Sequence, residues 1–104
     1  MPKLVSVENN DGEIEGYYFD CPGCEGGHFV HIKPHSAPNG ASWSFNYDLE
    51  KPSFSPSILS KINYSHKAVS ICHLFVTNGE LKFLNDCTHK LAGQTVPMED
   101  VINE

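Results

Sequence analysis

Four cysteines in a chain of 104 residues, two of them separated by only Pro22 and Gly23, constrain this sequence more than any other feature. Cys21-Pro22-Gly23-Cys24 has the spacing of a metal knuckle, in which both sulfurs point at one ion while backbone amides reach the thiolates. Gly23 is expected to supply the positive φ of such a tight turn. A redox pair of the same spacing opens a helix after a βαβ pattern, whereas glycines and a strand-like run follow here. A domain of this length buries its own surface only modestly and commonly adds a metal or disulfides. The start, Met1-Pro2-Lys3-Leu4-Val5, lacks the apolar region and small-residue cleavage site of a signal peptide. That points to a cytoplasmic, reducing setting in which thiols stay free or bind metal, with a disulfide framework as the alternative. Structural zinc is therefore the expected cofactor.

The remaining pattern is that of a single all-β domain over residues 1–104, built from antiparallel strands and hairpins with little helix. Leu4 to Val7 alternates apolar and polar residues, Asn9-Asn10-Asp11-Gly12 turns the chain, and Glu13 to Asp20 continues as a second strand. His28 to Lys33 alternates again, and Trp43, Phe45 and Tyr47 recur at period two, which predicts an aromatic strand face. A long loop runs between them from Pro34 to Ser42. Prolines at 22, 34, 38, 52, 56 and 97 break most helical candidates. Thr88 to Gln94 has room for one helical turn, and the stretch from about 98 to 104 reads as a polar tail.

The clearest local signal is a hairpin over Ile71 to Asp86, in which two apolar runs flank Asn78-Gly79, the pair preferred in a type I′ turn. Counting down from that two-residue loop sets Thr77 opposite Glu80, Val76 opposite Leu81 and Cys72 opposite Asn85. Cys87 is then the diagonal neighbour of Cys72, about 7–8 Å away, on the face that carries Leu74 and Phe83. Cys21, Cys24, Cys72 and Cys87 are accordingly the expected metal ligands, four thiolates in a closed tetrahedral site. The forty-seven residues from 25 to 71 exceed the spacing of ordinary zinc ribbons, and His28, His31, His73 or His89 is able to take the place of one cysteine.

The same register sends His73 to the opposite face, beside Leu84 and diagonal to Asp86. A carboxylate there fixes the tautomer of the imidazole and supports it as a base. Pro52-Ser53-Phe54-Ser55-Pro56-Ser57 places serines at period two, so a Ser-His-Asp arrangement is geometrically permitted. The plainer reading of each piece is also open: a solvated histidine, serines of an edge strand between prolines, and an aspartate capping the hairpin end.

Thirteen acidic residues against seven lysines leave a net charge of −6, and the chain has no arginine. Nucleic acids are bound chiefly by cations that displace phosphate counterions, so DNA and RNA are excluded as main partners. No apolar run reaches the eighteen or so residues of a membrane span.

Taken together, Cys21-Pro22-Gly23-Cys24 with His28, Trp43-Ser44-Phe45-Asn46, Pro52-Ser53-Phe54-Ser55-Pro56-Ser57, Cys72-His73, Asp86-Cys87-Thr88-His89 and Leu91-Ala92-Gly93-Gln94-Thr95 resemble a small bacterial and phage family. It is catalogued as domain of unknown function 6527, and many members carry the label ammonia monooxygenase. Tyr47 departs from the glycine common at that place. Ammonia oxidation does not suit this chain, since it requires copper on histidines within a membrane enzyme. The resemblance implies instead a setting beside bacterial ubiquitin-like conjugation, in a bacterial cell or a phage-infected host. There it implies a serine-type peptidase whose substrate is the tail of a ubiquitin-like or other small protein. Ser55 or Ser57 would be the nucleophile, His73 the base and Asp86 its orienting group, with backbone amides for the oxyanion. Zinc would be structural. A non-catalytic zinc module that binds a host or phage protein is the alternative from another class. A zinc-centred hydrolase, with His89 or His73 joining two or three cysteines, is the third. Substrate identity and oligomeric state are left open by the sequence.

Overall fold

The computed structural model describes residues 3–24, 26–62 and 70–101. The fold is all-β. Three strands, β1 (Val5–Glu8), β2 (Ile14–Cys21) and β3 (Gly26–His31), form one antiparallel sheet in the order β1-β2-β3. Five more, β4 (Ser44–Phe45), β5 (Phe54–Ile62), β6 (Ser70–Thr77), β7 (Glu80–Phe83) and β8 (Thr95–Pro97), form a second antiparallel sheet in chain order. A parallel bridge from Ile32 to Trp43 connects the two, made by Trp43 N–H to the His31 carbonyl and Lys33 N–H to the Trp43 carbonyl.

Alternation along the strands decides which face is buried. Tyr17, Phe19 and Cys21 of β2, Cys72, Leu74 and Val76 of β6, and Leu81 and Phe83 of β7 all turn inward at period two. They belong to one apolar cluster shared by both sheets, with Phe19 and Leu74 entirely removed from solvent. Burying a side chain of that size stabilises the fold by about 1.5–3 kcal/mol, so this shared cluster is the main force holding sheet to sheet. The hairpin closes as expected, with both Asn78 (φ 50) and Gly79 (φ 79) in the left-handed region that a type I′ turn demands.

Three expectations change. The aromatic strand is only Ser44–Phe45, because Asn46 and Asp48 side chains accept amide hydrogens from residues further along and turn the chain away. Tyr47 sits in that turn at φ 60, 69 % exposed, with its ring against Phe45. Between Thr88 and Gln94 the chain forms successive reverse turns rather than a helical turn. In the stretch read as a polar tail, Met98 and Val101 are buried, each at 4 % exposure, while 102–104 lie outside the described residues.

Candidate active site and metal centre

The β6–β7 ladder keeps the register counted from the turn: Thr77 faces Glu80, Val76 faces Leu81 and Leu74 faces Phe83. One more step pairs the Leu84 N–H with the His73 carbonyl at 2.9 Å. Beyond it the chain makes a tight turn, with Cys87 N–H on the Leu84 carbonyl, and returns to β6, where Thr88 N–H bonds the Ile71 carbonyl. This turn delivers Asp86 to His73. The sulfur of Cys87 also meets His73, accepting its backbone N–H at 3.2 Å and donating to its carbonyl at 3.1 Å.

Which serine reaches His73 depends on β5. Phe54 pairs with Val76 and Ile58 with Leu74, so residues 55–57 of β5 stand opposite Phe75 alone. A bulge of this kind breaks the period-two alternation and re-aims side chains. It sets Ser57 Oγ 3.1 Å from His73 Nε2, and Trp43 Nε1–H holds the Ser57 carbonyl at 3.2 Å. Ser55 instead pairs with Ser44 of β4 and is exposed, and Ser53 Oγ accepts the Asn78 N–H. On its other side His73 Nδ1 lies 3.0 Å from Asp86 Oδ2. An ionised carboxylate only accepts, so Nδ1 carries the proton and Nε2 offers its lone pair to the Ser57 hydroxyl. His73 is 23 % and Asp86 54 % exposed at the side chain, which leaves the imidazole sheltered but open to a bound chain.

Cys21, His28 and Cys72, all buried, and Cys24, exposed in the turn after β2, each offer a ligand atom, all within 4.8 Å of one another. Cys21 and Cys72 sulfurs are 3.8 Å apart, and Cys24 Sγ is 3.6 Å from His28 Nε2. Tetrahedral zinc bonds of about 2.3 Å to sulfur and about 2.0–2.1 Å to nitrogen imply edges of about 3.8 and about 3.6 Å, so this donor set fits zinc. The charge distribution points the same way. The hydrogen bond with Cys72, with His28 nearby, holds the Cys21 thiol down at about 3. Burial, reinforced by the charge on Cys21, pushes Cys24 up to about 11. Cys72 is also pushed up, by its bond to Cys21 and by burial. Three crowded thiols ionise together only with a cation among them.

Cys87 stands in a second group, with Cys72 and His89. Compared with the expected four cysteines, the compact set therefore has His28 in place of Cys87, whose sulfur is engaged by the His73 backbone. The sequence signal for His28 is its position four residues beyond Cys24, with Glu25, Gly26 and Gly27 between. The half-buried His89 packs edge-on against Phe83 and its Nδ1 accepts the Leu91 N–H; its Nε2, itself shut off from solvent beside the thiols, has no partner among the described residues.

Gly23 does not adopt a positive φ, contrary to the reading from the knuckle alone. Its role is space: a Cβ there would fall on the His89 ring. Gly23→Ala is expected to destabilise the protein by about 1–3 kcal/mol, as overpacked interiors do, read as a lower midpoint in denaturant melts. An unchanged midpoint would mean that the ring moves aside freely.

A hydroxyl, an imidazole and a carboxylate bonded in series are the working parts of serine hydrolases, here set back to back with a Cys/His cluster able to hold a metal ion. Comparison narrows that class. The model of the family described as "Bacterial ubiquitination-like system serine protease (BubE)" matches residues 1–84, and the chain belongs to that family. The match includes Cys21, Cys24, His28, Ser57, Cys72 and His73, and ends before Asp86. Its description agrees with the bacterial ubiquitin-like setting that the motifs suggested, without the label of domain of unknown function 6527. No curated protein and no solved structure matches the chain. Among the described residues, no helix is long and apolar enough to cross a membrane.

Proposed function

We propose that the protein is a serine-type peptidase of a bacterial ubiquitination-like system, with Ser57 as nucleophile, His73 as general base and Asp86 as its orienting group. The observation that carries this reading is the unbroken hydrogen-bonded series from Ser57 Oγ through both ring nitrogens of His73 to Asp86 Oδ2. In the reaction, Ser57 Oγ attacks the scissile carbonyl as His73 Nε2 takes its proton. Asp86 stabilises the imidazolium that results. His73 then passes the proton to the departing amine, which leaves an acyl group on Ser57, and a water deprotonated by His73 releases it.

Zinc, held by Cys21, Cys24, His28 and Cys72, would give the thiolates a common counter-charge and tie β2 and β3 to β6. Four protein ligands close the coordination shell, which favours a structural role over a zinc-centred hydrolase. Cys72 precedes His73 directly, and Cys87 follows Asp86 directly while its sulfur clips the His73 backbone. The metal side of the sheet thereby sets the position of the catalytic side. The family description supports a protein substrate, and the tail of a ubiquitin-like or other small protein is the substrate we assign.

A fluorophosphonate probe tests the nucleophile, because it bonds covalently only to an activated serine hydroxyl. It is expected to label the protein once, at Ser57 by peptide mass mapping, and to leave Ser57→Ala unlabelled. Labelling at Ser55, or undiminished labelling of Ser57→Ala, would overturn the assignment.

A further inference from the structure

On the amino side of the β5 bulge, two residues short of Ser57, the surface holds a groove of ≈ 430 Å³ whose lining includes Phe45, Phe54, Phe75, Ser53, Ser55 and Thr77. None of its lining residues is charged, although the chain as a whole carries −6. Of its lining residues, Phe45 and Phe54 are buried and stack at 4.8 Å, while Phe75 is 40 % exposed. Phe75 also stands opposite the bulge that carries Ser57, two residues along β6 from His73 and on the same outward face. An exposed aromatic ring in an uncharged groove that adjoins a nucleophile is suited to a side chain of the substrate.

Direction follows from the proton. His73 pairs across β5 with Leu59, on the carboxyl side of Ser57, whereas the groove meets β5 at residues 53–55, on the amino side. His73 must lie within hydrogen-bond reach of the leaving group to protonate it. The leaving group therefore departs on the Leu59 flank, and the part that stays bonded to Ser57 occupies the other. We infer that the groove is the acyl-side subsite of the peptidase and takes a bulky, uncharged apolar group, with Phe75 as its specificity-determining residue. This rests on the assignment of Ser57 made above.

Zinc-loaded protein hydrolysing the p-nitrophenyl esters of acetate, hexanoate and succinate (as the charged monoester) tests the inference. The expected kcat/KM for hexanoate is about tenfold or more above that for acetate, with succinate below acetate, since methylenes held in an apolar subsite discriminate strongly. Phe75→Ala is expected to bring the hexanoate-to-acetate ratio close to one, and Phe75→Leu to restore it. A wild-type ratio near one, or a ratio that survives Phe75→Ala, overturns the subsite.

Ser57→Ala separates the two claims. If its ester hydrolysis equals that of the wild type, the serine assignment fails. The subsite is then judged on binding alone, through Trp43, the single tryptophan, whose indole bonds the Ser57 carbonyl. Quenching of Trp43 in Ser57→Ala should show hexanoate binding more tightly than acetate, and Phe75→Ala in the same background should remove the difference. Equal binding of the two acids overturns the subsite even where the serine assignment stands.

Discussion

Ser57→Ala, His73→Ala and the double variant are expected to cleave a protein-tail substrate at the same residual rate, about 10⁴-fold or more below the wild type. Among the described residues Ser57 Oγ meets His73 Nε2 at 3.1 Å, and in the proposed mechanism each of the two acts only through the other. Removing either partner leaves the other idle, so the losses do not add. Asp86→Asn is expected to fall by a similar order, about 10⁴-fold, because an amide can donate to Nδ1 and so favour the wrong tautomer while leaving the geometry intact. Ser57 and His73 lie on β5 and β6 and Asp86 in the turn after β7, and none of them belongs to the shared apolar cluster, so thermal midpoints should stay close to the wild type. Steady-state kinetics on the four proteins, with circular dichroism as the folding control, make the measurement. If the double variant loses the product of the single losses, the two residues act independently and do not form one catalytic unit.

The second large effect concerns the metal. Purified protein is expected to carry one zinc per chain by elemental analysis and to lose its cooperative unfolding transition when a strong chelator removes the ion. Structural zinc contributes on the order of 10 kcal/mol to small domains, and a domain of this size has about 5–15 kcal/mol of total stability, so little margin remains without it. Trp43 provides the readout, because its indole bonds the Ser57 carbonyl and its backbone joins β3 to the second sheet. The ligand set is resolved by two further variants. His28→Ala is expected to lose zinc and Cys87→Ala to keep it, since His28 Nε2 lies 3.6 Å from Cys24 Sγ whereas the Cys87 sulfur bonds the His73 backbone. The reverse result would make the four cysteines the ligands and return His28 to a packing role against Phe19. A fully folded, metal-free protein would remove the zinc reading altogether.

These two sites lie on opposite faces of one strand, and that relation is what links stability to chemistry here. Consecutive residues of β6 point to opposite sides of the sheet, so Cys72 faces the thiol cluster while His73 faces Ser57. An ion that pins Cys72 also pins the backbone from which the imidazole projects. Cys87 does the same from the neighbouring segment, with both of its hydrogen bonds on the His73 peptide groups.

Much of this was legible in the chain. Asn78-Gly79 imposes a two-residue turn through its left-handed dihedrals, and a turn of known length sets every pairing below it. From that register alone Cys72 turns inward and His73 turns outward, whereas Asp86 reaches His73 through the tight turn that follows Leu84. The all-β class follows from strand alternation and from prolines that break helical runs. What the sequence could not settle depends on contacts between segments far apart in the chain. That Ser57 rather than Ser55 meets His73 depends on the bulge opposite Phe75, and pattern counting assumes an unbroken period of two. That His28 clusters with Cys21, Cys24 and Cys72 while Cys87 falls in a second group with Cys72 and His89 depends on distances between β3, β6 and the turn after β7, which no local spacing encodes. Gly23 looks like a turn residue until the His89 ring, sixty-six positions later, is seen to occupy its side-chain space. Local backbone rules travel along a ladder residue by residue, whereas the packing of one sheet on another is decided by volumes and distances that exist only once the chain has folded.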